Sequence, residues 1–209
     1  MNKPLATENM AQDNDASNFN RPTKLAHIVY RTRRFEQMLE WYKTVFGARV
    51  QYQNPALCFI TYDDEHHRFL LADMSVIQPN GKETQSNSAI GVDHVAYTYA
   101  SLSDLFESYS RLKEKGINPY WCIHHGITIS MYYADPDGNQ MEFQVDCFET
   151  SEESNAFFKD KWDANPVGVE IDAEDWLSQM RAGVPASDFL ERKVHEPISP
   201  IRGNLAEFL

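Results

Sequence analysis

Cysteine is scarce in this chain of 209 residues: Cys58, Cys122 and Cys147 are scattered and odd in number. They form no CxxC pair, which excludes a disulfide framework and a thiolate zinc site and points to a reducing cytoplasm. Basic residues are also few. Nineteen Lys and Arg stand against 31 Asp and Glu, a formal net charge of −12. Nucleic-acid binding and docking on an anionic membrane both need clustered cations, so neither is expected. An unbroken apolar run of about 18 residues, as a membrane-spanning helix requires, is missing. The polar stretch from Met1 to Arg21 lacks the apolar core of a signal peptide. What the chain does have is 42% apolar and 12% aromatic residues, enough for a globular core. It also has seven histidines that composition leaves unexplained.

Periodicity divides the chain into two similar halves and a tail. Leu25 to Tyr30 is a short apolar run of strand type. Phe35, Met38, Leu39, Tyr42, Val45 and Phe46 follow at mostly helical spacing, with Gly47 placed to end the helix. Strands are predicted over Arg49–Gln53, Leu57–Tyr62 and His67–Ala72. The second half repeats the order. Val92–Tyr97 is a strand, and Ser101 with Asp104 three residues on is a weak capping box. Leu102, Leu105, Phe106, Tyr109 and Leu112 form a helical stripe ended by Gly116. Strands follow at Pro119–Ile123, Thr128–Ala134 and Gln140–Val145, the last two joined by the turn Asp135-Pro136-Asp137-Gly138. The pattern is βαβββ twice, at 24–73 and 91–145, with a surface loop between Met74 and Ile90. A duplicated unit suits two half-shells closing on one site. The expected organisation is an α+β fold. A disordered or draped arm covers 1–22, the paired modules lie within 23–148, and a helical and irregular extension fills 149–209. Within the extension, Ser154–Trp162 and Ala173–Ala182 read as short helices.

Three groups of residues could carry chemistry. His27 and His94 are each the third residue of the leading strand in their half, and Glu142 lies in the last strand of the second half. A carboxylate on an inward strand face needs a cation or a donor to offset its desolvation. Two imidazoles and a carboxylate form a facial triad, which leaves positions open and suits non-haem Fe(II). Taken singly, each is equally a capped core histidine or a solvent-facing glutamate; the duplicated placement makes the histidine pair specific. The second group is His66-His67 at the start of a strand, and the third is His124-His125 shortly before Tyr132. Read alone, such pairs at loop–strand junctions are usually surface polar residues. Tyr97, Trp121, Tyr133 and Phe143 could line a pocket for a planar ring, although core packing is the plainer reading. The tail aromatics Trp162, Trp176 and Phe189 read as cover for the core.

Taken together, these segments resemble the vicinal oxygen chelate superfamily, which includes glyoxalases and bleomycin-resistance proteins. Within it they are similar to small one-domain type I extradiol catechol dioxygenases. The match spans about 24–145. His27, His94 and Glu142 fall on the family's metal-ligand positions. His66-His67-Arg68-Phe69-Leu70-Leu71 resembles the segment whose second histidine is the acid–base catalyst, which implies His67. His125-Gly126-Ile127-Thr128, Tyr132 and Asp135-Pro136-Asp137-Gly138-Asn139 through Glu142 resemble the C-terminal signature, with Tyr132 at the active-site tyrosine. The Asp-Pro-Asp-Gly-Asn segment marks fold and metal more than reaction; His67, His125 and Tyr132 favour ring cleavage. Two departures stand out. The loop from His125 to Tyr132 is about two residues short, which leaves His124 as an alternative to His125, and the loop from His67 to His94 is long.

The resemblance implies a glyoxalase-type half-barrel metal site and cleavage of a catechol-type diol, bicyclic diols included, with both atoms of O2 incorporated. Fe(II) is the expected cofactor, with Mn(II) suited to the same donors, and a homo-oligomer is the expected assembly. A glyoxalase-type isomerase or lyase is the alternative, but it needs a fourth ligand. The strand matching that of Glu142 in the first half, His67–Ala72, offers no glutamate, and Asp73 lies just beyond it. A binding module without turnover is the third reading.

Overall fold

A computed structural model describes residues 22, 24–81, 91–193, 196–204 and 206. The expected N-terminal arm at 1–22 lies almost wholly outside the described residues, as do 82–90 of the expected loop and His195.

The first module runs β1 (Ile28–Thr32), α1 (Phe35–Phe46), β2 (Arg49–Gln53), β3 (Leu57–Thr61) and β4 (Phe69–Asp73). After α2 (Met74–Ile77), the second runs β5 (His94–Thr98), α3 (Leu102–Glu114), β6 (Trp121–His124), β7 (Thr128–Ala134) and β8 (Gln140–Asp146). The tail contributes α4 (Ser151–Asp160), β9 (Val169–Glu170) and α5 (Ala173–Arg181). The strands form two mixed sheets, ordered β1-β4-β3-β2 and β5-β8-β7-β6-β9, with β1 parallel to β4 and β5 parallel to β8. The α+β fold with a repeated βαβββ unit is therefore present.

The two helices form where the apolar spacing put them. α1 buries Phe35, Met38, Leu39, Tyr42 and Val45, and Gly47 ends it at φ 63°, in the left-handed region that favours glycine. Ser101 caps α3 by accepting from the Asp104 amide. Both stripes enter one core: Phe46 meets Tyr97 and Phe143 of the second module edge-on, at 4.9 and 5.5 Å between ring centres. Phe143 is fully buried there, and such a side chain contributes roughly 1.5–3 kcal/mol. Polar ties add direction. Arg111 donates to the carbonyls of Thr44 and Val45, closing the end of α1. Tyr42 donates to Asp135 of the turn before β8 at 3.2 Å.

Two differences from the sequence reading have physical causes. The loop predicted from Met74 begins with a helical turn, because Asp73 accepts from the Ser75 amide and caps it. That cap also accounts for the Asp73 side chain. The tail does more than cover the core: β9 pairs antiparallel with β6, His124 opposite Val169, and so extends the second sheet.

Candidate active site

β5 and β8 run side by side, with Ala96 opposite Glu142. Because strand side chains alternate, Met141, Phe143 and Val145 go to the core while Glu142 faces away from it. Glu142 is only 6% exposed, so its charge needs partners. His94 Nε2 lies 3.1 Å from Glu142 Oε2, and His125 Nε2 lies 4.0 Å from Oε1. Burial alone would raise the Glu142 carboxyl, but hydrogen bonds from His94 and Ser130 and the nearby His125 hold it below the ordinary range. The same contact with Glu142, with Asp93 on the opposite ring nitrogen at 2.8 Å, raises His94 to about 9 despite its burial.

His125 joins this group from the end of β6. Its Nε2 is 3.0 Å from the Tyr132 hydroxyl, and its Nδ1 meets the Val167 carbonyl. Burial lowers its pKa, and the Val167 carbonyl and Glu142 oppose that shift. Tyr132, on β7 opposite Glu142, has its phenol pushed up by burial and then by Glu142. His124 points elsewhere. It is 3% exposed, its Nδ1 accepts from the Gly126 amide, and its ring meets Trp176 edge-on. Of the adjacent pair, His125 is thus the one beside Tyr132.

The other predicted residues gather separately. His27, exposed before β1, meets His67 in a tilted ring contact at 4.4 Å between ring centres, and His67 also meets Phe59 edge-on. His66 contacts His67 but pairs outward with Glu65. Partial burial lowers the His67 pKa, with His27 and His66 adding to the effect. His27 lines a cavity of about 1060 Å³ between the modules, together with Phe46, Tyr97 and Phe143. Glu142, His125 and Tyr132 line another of about 370 Å³, and His94 shares a smaller one with His125 and Tyr132. The structure therefore joins two of the three predicted ligands, along with His125 and Tyr132, and leaves His27 with His67. Among the described residues, no three His, Cys, Asp or Glu side chains are gathered closely enough to hold a metal ion. The chemistry of the His94–Glu142 pair nonetheless suits a divalent ion, an imidazole facing a buried carboxylate.

The sequence profile of the Glyoxalase/Bleomycin resistance protein/Dioxygenase superfamily matches residues 24–143. The chain belongs to this superfamily. Biphenyl-2,3-diol 1,2-dioxygenase 2 of Rhodococcus globerulus is 45% identical over 163 residues, covering 78% of this chain and 84% of that relative. Biphenyl-2,3-diol 1,2-dioxygenase 3 of the same organism is 38% identical over 81% of this chain and 88% of that relative. A lactoylglutathione lyase of Neisseria meningitidis is 24% identical over 57% of this chain and 88% of its own length.

Within the superfamily fold, the two modules differ at one equivalent register position. Glu142 faces Ala96, two residues beyond His94; the equivalent residue facing Val29, two beyond His27, is Leu70. Leu70 is apolar and offers no metal-ligating atom at that position. The tail adds site residues that the sequence reading missed. Trp162, expected to cover the core, lines the cavities beside His125 and Tyr132, and Val167 accepts from His125. Asn165-Pro166-Val167-Gly168 is a turn signature that could have flagged this segment.

Proposed function

We propose that the protein is an extradiol ring-cleaving dioxygenase of the superfamily, acting on a bicyclic catechol of the biphenyl-2,3-diol kind. The observation that carries this reading is the grouping of His94, Glu142, His125 and Tyr132 on one sheet face, in a chain 45% identical to a biphenyl-2,3-diol 1,2-dioxygenase. His94 and Glu142 would hold Fe(II) with His27 as the third ligand. When bound, the ion supplies Lewis acidity that lowers the pKa of a substrate hydroxyl, and a place for dioxygen beside the ring.

The chain's own groups do the rest. His67, its pKa lowered by partial burial and its histidine neighbours, would accept a phenolic proton and return it later in the reaction. Tyr132 and His125 hydrogen-bond the substrate oxygens as negative charge develops there. Trp162 supplies a flat apolar wall for the second ring. Replacing His67 by Phe should reduce turnover by about 10²–10⁴-fold with iron content unchanged, the range for loss of a general acid–base group. Loss of iron instead would make His67 a ligand. Iron content of a His27→Ala variant tests the third ligand.

A further inference from the structure

The tail lies outside the segment that matches the superfamily, yet it makes the closest contacts to His125. A carbonyl oxygen can only accept, so the contact between His125 Nδ1 and the Val167 carbonyl requires the proton to be on Nδ1. Nε2 then presents a lone pair toward Tyr132, whose hydroxyl is 3.0 Å away and can donate to it.

The carbonyl is held in place from several directions. Asn165, 9% exposed, accepts through Oδ1 from the amides of Val167 and Gly168 at 3.1 and 2.7 Å, and its Nδ2 donates to the Gly168 carbonyl at 3.0 Å. Gly168 sits at φ 127°, where a Cβ would come within 2.6 Å of the His124 carbonyl oxygen. The turn can therefore lie this close to β6 only with glycine there. Arg192 donates from one nitrogen to the carbonyls of both His125 and Asn165, at 2.8 and 3.0 Å, and its guanidinium lies over the Phe157 ring. Phe157 in turn packs where a side chain on Gly126 would be, next to His125.

We propose that the Asn165–Gly168 turn and Arg192 form a positioning shell that fixes His125 in its Nδ1–H tautomer, with Nε2 directed at Tyr132 and the reacting diol. Neither Asn165 nor Arg192 touches the substrate; both act through His125. The assignment rests on the dioxygenase reading for its catalytic consequence but not for the tautomer itself.

The test uses the full-length chain with Asn165→Ala, Arg192→Ala and Arg192→Lys variants. Ring ¹⁵N shifts of His125 report the tautomer directly, and kcat and KM for biphenyl-2,3-diol are measured on Fe(II)-loaded protein. In the wild type, Nδ1 should carry the proton. Asn165→Ala and Arg192→Ala should shift His125 toward a tautomer mixture and lower kcat on the order of tenfold or more, as loss of an orienting partner does, with iron content unchanged. Arg192→Lys, which keeps a donor, should restore much of kcat. A wild-type His125 protonated on Nε2, or both alanine variants keeping the wild-type tautomer and kcat, would overturn the assignment. If the wild type has the Nδ1–H tautomer and the variants lose it, but no diol is turned over, the positioning shell stands and the dioxygenase reading fails.

Discussion

Acidification should expose His124 as the main titrating weak point of the buried tail contacts. Its ring is 3% exposed, and burial pushes its pKa down to about 4. The Leu190 and Phe189 main chain and the neighbouring Arg192 and His125 charges act in smaller measure, and no partner meets hydrogen-bond geometry at Nε2. In the unfolded chain the same imidazole titrates near 6.5. Above pH 6.5 both states are neutral at this position, so it adds no pH dependence. Between pH 6.5 and about 4 the unfolded chain binds a proton that the folded chain refuses, and stability falls by about 1.4 kcal/mol per pH unit. Across the whole window the loss is about 3 kcal/mol, a large part of a typical domain's total stability. His94 acts in the opposite direction and a different range. Its pKa is raised to about 9, so its contribution is fully present below 6.5 and lost as pH rises toward 9. His67 and His125 are also lowered and fall in the His124 window, so the wild-type curve alone cannot isolate His124. The assay is urea unfolding at half-unit steps from pH 7.5 to 4.5, for the wild type and for His124→Asn. Asn does not titrate, and its side-chain oxygen can accept from the Gly126 amide as Nδ1 does. The wild-type curve should be steeper by about 1 kcal/mol per pH unit between pH 6 and 5. Parallel curves would refute the burial argument.

Three other changes follow from the geometry. Gly168→Ala places a Cβ against the His124 carbonyl at a positive φ, so unfolding should show a loss of more than about 1 kcal/mol. Tyr42→Phe removes the buried hydroxyl that donates to Asp135 and ties the modules; chemical denaturation should register about 1–3 kcal/mol of destabilisation. Tyr132→Phe removes the hydroxyl beside His125 while preserving the ring packed against Trp121. Turnover should fall by about 10²-fold, with melting temperature little changed in differential scanning calorimetry.

Much of the fold was legible because the two halves use strong local signals. Gly47 ended α1, Ser101 began α3, and β2 and β7 were expected with the bounds they have. Boundaries slipped where caps were overlooked. α4 starts at Ser151, three residues before the expected Ser154, because Thr150 and Glu153 form a full capping box. The grouping of Glu142 with His94 was expected from their strand positions, and Tyr132 from the resemblance to the family's active-site tyrosine; the register places Tyr132 directly opposite Glu142. The choice between His124 and His125 stayed open in the sequence, because the two are adjacent where β6 ends and a shift of one residue there exchanges which side chain faces Tyr132. The tail's part in the site was legible only as a turn at Asn165-Pro166-Val167-Gly168; that this turn and Arg192 reach His125 depends on main-chain contacts that no spacing encodes.

Oxygen consumption by the iron-loaded protein with biphenyl-2,3-diol tests the central claim most directly. The protein is loaded with Fe(II) under anaerobic conditions, its iron content is measured, and the diol is added with a known amount of O2. One O2 consumed per diol, with a yellow ring-opened product containing both oxygen atoms, is the expected result. Full iron occupancy with no oxygen uptake on this or any mono- or bicyclic catechol would contradict it.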